Sequence, residues 1–216
     1  MIYSKIEEME VRSAILAYED VAHKAIQNKE FKDCLNQLKL YNEELYYHSY
    51  NVSLLSFIVG NSLHLDNLSD LYIAAFLHDF GKIFIPKEIL EKPGNLNEKE
   101  WSFIKLHPEL GYIYLKQRTK FSNEVLNGIL DHHERVDGTG YGFNKVGSEI
   151  SLIGRIVALA DVYDAMIANR VYRKKIDRKI AKSYIKENAG KHFDFELTIL
   201  FLSKTNIYEI MEHNKQ

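Results

Sequence analysis

Apolar residues recur along this chain at intervals of about three to four positions, so its strongly apolar stretches predict helices rather than strands. Residues 7–27 read as one amphipathic helix, with Ile15, Leu16 and Val21 among its apolar positions. Residues 30–62 predict a single longer helix whose stripe includes Phe31, Leu35, Leu38, Leu45, Val52, Leu55 and Val59. Residues 68–78 are apolar nearly all round, the pattern of a core helix, ending where Gly81 suits a helix terminus. Pro86 opens a short helix over 86–90, Asn97 caps one over 98–106, and Pro108 starts another through residue 117. Further helices are expected over 123–133 and 151–169, over 178–188 capped by Asp177 and closed by Gly190, and from Asp194 to Leu202.

These elements make an all-α chain: a single helical domain over residues 41–203, an N-terminal helical extension over 1–40, and a polar tail over 204–216. With 216 residues, 46% hydrophobic and 27% charged, the composition suits one globular core and excludes disorder. The net charge of −2 excludes a global attraction for nucleic-acid polymers or anionic membranes, so an anionic ligand needs local cations or metal. Cys34 is the only cysteine, which rules out an intrachain disulfide and a multi-thiolate zinc site; a buried inert thiol is expected. The first ten residues lack the apolar run of a signal peptide, and residues 52–59 are too short to span a bilayer, so a reducing cytoplasm is expected.

Chemistry concentrates in five of the nine histidines: His48, His78 before Asp79, His107 before Pro108, and the pair His132-His133. The others, His23, His64, His192 and His213, read as surface or hydrogen-bonded residues. Asp79 follows a core helix and Asp161 lies within an apolar one, and a buried carboxylate calls for a cation. Imidazoles with carboxylates suit iron, manganese or zinc better than calcium or magnesium. Glu44 stands four residues before His48, on one helix face with it. Lys82, Arg170 and Arg173 are cations suited to phosphate oxygens, although each also fits a solvated or helix-end charge. Glu134 and Asp137 are candidates for ordering the loop, and Asp164, one turn from Asp161, for a supporting or purely structural role.

The sequence His78-Asp79-Phe80-Gly81-Lys82 resembles the HDxGK signature of HD-domain phosphohydrolases. The run from His132-His133-Glu134 to Asp137-Gly138-Thr139-Gly140-Tyr141-Gly142 is similar to the HHExxDGxGYP signature of their HD-GYP subgroup. The resemblance continues through Ala160-Asp161-Val162-Tyr163-Asp164-Ala165-Met166, then Arg170 and Arg173, and Gly190-Lys191-His192-Phe193-Asp194. Gly142 departs from the signature proline, and a looser loop is expected from it.

The resemblance implies a cyclic dinucleotide phosphodiesterase, acting usually on cyclic di-GMP with two or three iron or manganese ions. It implies metal ligation by His48, His78, Asp79, His107, His132, His133 and Asp161, with Glu44 beside a third ion. His78, Asp79 and Lys82 would form the catalytic centre, and Lys82, Arg170 and Arg173 would contact substrate phosphate. The products would be linear pGpG, GMP or both. Two other readings stay open: an HD phosphohydrolase acting on another nucleotide, and a catalytically weak cyclic di-GMP receptor. The N-terminal helices are open to packing on the catalytic core, to a homodimer contact or to a signalling partner.

Overall fold

In the computed structural model, residues 5–168 and 176–213 are described. Among them lie α1 (Lys5–Ile26), α2 (Lys29–Tyr41), α3 (Glu43–Ser62), α4 (Leu68–Leu77), α5 (Lys87–Leu90), α6 (Glu98–Ile104), α7 (His107–Arg118), α8 (Asn123–Asp131), α9 (Leu152–Ile167), α10 (Arg178–Glu187) and α11 (Phe195–His213). A 3-10 turn, Phe80–Phe84, follows α4. The described residues form no strand, only one isolated bridge between Ala189 and Phe193.

Most helix starts are written in the sequence as capping side chains. Asn28, Ser122 and Ser151 accept from the backbone N–H three residues on, and Asp177 accepts from Lys179 N. Asn97 and Glu100 form a reciprocal capping box at α6. Gly190, at φ 74°, closes the turn after α10.

Two boundaries differ from expectation. The helix expected over 30–62 is two helices, because Asn42 is extended (φ −157°, ψ 117°) and its side chain accepts from Leu45 N, so it ends α2 and caps α3. The residues assigned to a polar tail instead continue α11 to His213. Thr205, Ile207, Tyr208 and Met211 are buried there, and Lys204 pairs with Glu10 of α1 at 2.5 Å. Apolar side chains spaced one turn apart keep that segment helical despite its polar letters.

Helices α3, α4, α8 and α9 pack in a closed ring, α3 on α4, α4 on α8, α8 on α9 and α9 on α3. Small residues on both helices set the approach of α8 to α9. A Cβ on Gly128 of α8 would lie 2.3 Å from Ile153 Cγ2, and one on Gly154 of α9 would lie 2.7 Å from Asp131 Cβ. Helix α1 lies against α3, α4 and α11, and Tyr18 meets Tyr50, Phe57 and Tyr72 edge-on in the core. The tyrosines at 46 and 50 belong to this packing too, each ring against Phe76. Cys34 is buried; burial, then Asp33 and Glu30, push its thiol up to about 12, which keeps it unreactive. No helix among the described residues is long and apolar enough to cross a membrane.

Candidate metal centre

Three histidines stand where a helix has just ended. His78 follows α4, His132 follows α8, and His107 comes three residues after the end of α6 and opens α7. Last-turn carbonyls have no partner within their own helix. Each ring folds back onto one: His78 Nδ1 to Ala75 O, His107 Nδ1 to Ile104 O and His132 Nδ1 to Ile129 O, all at 2.7 Å. A carbonyl only accepts, so each Nδ1 carries the proton and each Nε2 presents a lone pair. His48, on α3, reaches the same state differently, through Nδ1 to Asp164 Oδ2 at 2.6 Å.

These lone pairs converge on carboxylates. Asp79 Oδ1 lies 3.0 Å from His107 Nε2 and 3.9 Å from His132 Nε2; Oδ2 lies 3.4 Å from His78 Nε2 and 3.7 Å from His48 Nε2. Asp161 Oδ1 lies 3.0 Å from His48 Nε2 and 3.8 Å from His78 Nε2. His107 Nε2 and His132 Nε2 face each other at 3.2 Å. Two sets of donor atoms result, each within 4.8 Å of one another: Asp79, His107, His132 and His133, and His48, His78 and Asp79. Asp79 belongs to both, one oxygen toward each.

Acceptors opposed this closely repel unless a cation lies among them. His78 Nε2 and Asp79 Oδ1 are buried without a hydrogen-bond partner, which is costly in a protein interior. With the imidazoles neutral, Asp79, Asp161 and Asp164 set three negative charges against one ammonium among the described residues, that of Lys82, 2.5 Å from Asp79 Oδ2. The donor set therefore fits metal ions, and the divided Asp79 carboxylate suits a pair of them.

Burial would raise the Asp79 carboxyl, but the Lys82 ammonium beside it holds it well below the usual carboxylate range. Burial lowers His107, and burial with neighbouring imidazoles holds His132 and His133 well below the ordinary histidine value. Neutral imidazole beside ionised carboxylate is the protonation state that ligation requires.

Glu44 is exposed in the first turn of α3 and is not in either donor set. Arg170 and Arg173 lie outside the described residues. Gly81 is needed for close approach rather than as a left-handed helix cap, since a Cβ there would fall 1.9 Å from His107 O and 2.6 Å from Gly111 N. That contact lays the Lys82 turn against α7.

The glycine-rich loop after His133 is held by side chains from its own beginning. Buried Glu134 accepts from Phe143 N at 2.6 Å and Lys145 N at 3.2 Å, and Asp131 accepts from Lys145 Nζ at 2.6 Å and Ser151 N at 2.9 Å. Val136 N and Asp137 N donate to His192 O and Lys191 O, which explains the motif at 190–194 as a support for the loop. Gly142 sits at φ 126°, a conformation closed to proline, in a loop pinned by Glu134. Tyr141 stacks on His133 (centroids 4.5 Å, 26° between planes) and Trp101 meets Tyr141 edge-on at 6.2 Å. Asp131, Lys145 and Trp101 carried no signal in the sequence, because only the folded loop brings them to the site.

The HD domain family model matches residues 34–197. The chain belongs to the HD domain family. Its signatures are of the HD-GYP type. A cyclic di-GMP phosphodiesterase of Pseudomonas aeruginosa is 36% identical over 178 residues, 82% of this chain and 43% of that protein. A 3'3'-cGAMP-specific phosphodiesterase of Vibrio cholerae is 38% identical over 130 residues, 60% of this chain and 25% of that protein. This HD-family chain thus spans less than half the length of these two relatives. The HDG"Y"P protein of Bdellovibrio bacteriovorus shares the fold, with a TM-score of 0.63 at 16% identity over 91% of this chain and 70% of that one.

Proposed function

We propose that this chain is a metal-dependent phosphodiesterase that opens a cyclic dinucleotide, cyclic di-GMP before others. The observation that carries the reading is Asp79, one oxygen toward His107 and His132 and the other toward His48 and His78. The related phosphodiesterases of Pseudomonas and Vibrio support the substrate class. In this reading His48, His78, Asp79, His107, His132, His133 and Asp161 hold two iron or manganese ions, and Glu44 accompanies a third. Bound there, such ions supply Lewis acidity and lower the pKa of water.

The chain's own groups do the rest. The backbone carbonyls of Ala75, Ile104 and Ile129 fix three imidazoles as Nδ1–H tautomers, and Asp164 fixes the fourth. Lys82 keeps Asp79 ionised and, with Arg170 and Arg173, offers positive charge to the phosphate oxygens as negative charge develops. Water oxygen bonds to phosphorus as the P–O3′ bond breaks, and the proton it sheds goes to the departing 3′ oxygen. The product is linear pGpG, with cleavage to GMP reserved for a form that holds the third ion. We infer that the protein works in the cytoplasm, and exposed Met9 and Leu16 on α1 support self-association through that helix.

The test is anaerobic purification, metal analysis and chromatography of cyclic di-GMP incubated with iron- or manganese-loaded protein. Cleavage is expected, with losses on the order of a thousandfold in His78→Ala and Asp79→Ala. A folded, metallated protein that leaves cyclic di-GMP and cyclic GMP–AMP intact would overturn the reading.

A further inference from the structure

Trp101 is the only tryptophan in the chain, and it lies 45% exposed on α6. It is the outermost of three consecutive rings. His133 belongs to the donor set with Asp79, Tyr141 stacks on His133, and Trp101 stands edge-on to Tyr141. A short aromatic ladder therefore leads from the candidate metal centre to solvent.

The loop that carries Tyr141 and the helix that carries Trp101 are each tied at the backbone. Tyr141 N donates to His133 O, and Gly140 lies so close to the loop backbone that a Cβ would meet Glu134 Cα and Arg135 N at 2.5 Å. Helix α6 is fixed at its start by the Asn97–Glu100 capping box, and Glu100 is paired with Lys92 at 2.7 Å. A large ring this open, carried on a capped helix beside the candidate metal centre, has the makings of a stacking surface for a flat ligand. In a nucleotide the sugar sets the base off from the phosphate, so a base-stacking ring must stand outside the donor set, as Trp101 does.

We propose that Trp101 stacks on one base of the cyclic dinucleotide whose phosphodiester lies at Asp79. The proposal rests on the function inferred above and adds the residue that recognises the base. Stacking accepts the π-face of any base, so Trp101 contributes affinity without telling guanine from adenine.

The lone tryptophan supplies its own probe. Rapid mixing of metal-loaded protein with cyclic di-GMP should change Trp101 fluorescence before turnover, saturably. Trp101→Ala should raise KM about ten- to a hundredfold for cyclic di-GMP and cyclic GMP–AMP alike, with little change in kcat or metal content, and Trp101→Phe should recover most of the loss. Turnover without a fluorescence change, and with wild-type KM in Trp101→Ala, overturns the stacking role and leaves the phosphodiesterase reading standing. A loss of kcat or metal in Trp101→Ala that Trp101→Phe does not restore also overturns it, assigning Trp101 to loop support. Saturable fluorescence change without hydrolysis upholds the stacking role while sinking the catalytic reading; neither signal sinks both.

Discussion

The donor cluster and the glycine-rich loop lie side by side, yet they are held in place in different ways. In the cluster, three of the four buried histidines are oriented by a carbonyl three residues back, at a helix end. In the loop, the backbone is oriented by side chains of the residues that precede it, above all Asp131 and Glu134. The contrast separates two jobs. Atoms that must meet a metal are mounted on helix ends with almost no freedom, while the segment that shapes access is a loop clamped at a few points.

Acid should break the cluster first. Histidines whose folded pKa is depressed leave the unfolded chain binding more protons, so stability is full above the ordinary value of 6.5 and is lost as pH falls through it. For metal-free protein, thermal melts between pH 8 and pH 5.5 should show a loss on the order of 3 kcal/mol, from about 1.4 kcal/mol for each strongly suppressed imidazole. Asp137 in the loop, held low mainly by its hydrogen bonds from Thr139, titrates well below that window and should add nothing to it. A melting temperature that stays level across this range would mean the imidazoles are already charged in the fold.

Asp164 tests His48, whose Nδ1 meets a carboxylate. Asp164→Ala removes the partner of His48 Nδ1 and should weaken metal binding or turnover about ten- to a hundredfold, read by metal titration and initial rates. Retention of both would show that packing alone orients His48. Glu134→Ala probes the loop instead. It strands Phe143 N and Lys145 N, so it should cost about 2 kcal/mol and lower Tm by several degrees while metal content stays at the wild-type level. If metal is lost along with stability, the loop and the cluster are one unit and the separation fails.

Much of this was legible in the sequence. The helical periodicity gave the fold class, and the capping residues Asn97 and Asp177 gave helix starts, because these are local preferences. The signatures at His78 and His132 picked out side chains that do come together, since a histidine just past a helix end has a free carbonyl to bond. The break at Asn42 escaped because an unbroken apolar stripe concealed a capping side chain, and the end of α11 because its buried residues sit among polar ones.

By itself, then, the sequence determined which residues could serve as donors, and the local backbone chemistry that presents their Nε2 atoms. Only the tertiary structure decided how they are shared. Asp79 divides its oxygens between two histidine groups because α3, α4, α7 and α8 bring side chains from distant parts of the chain to either side of it. Tyr141 reaches His133 because Glu134 folds the loop back, and Gly142 permits that path because it alone needs no negative φ there. Such distances are set by how helices pack, and packing is a property of the whole chain rather than of any segment of it.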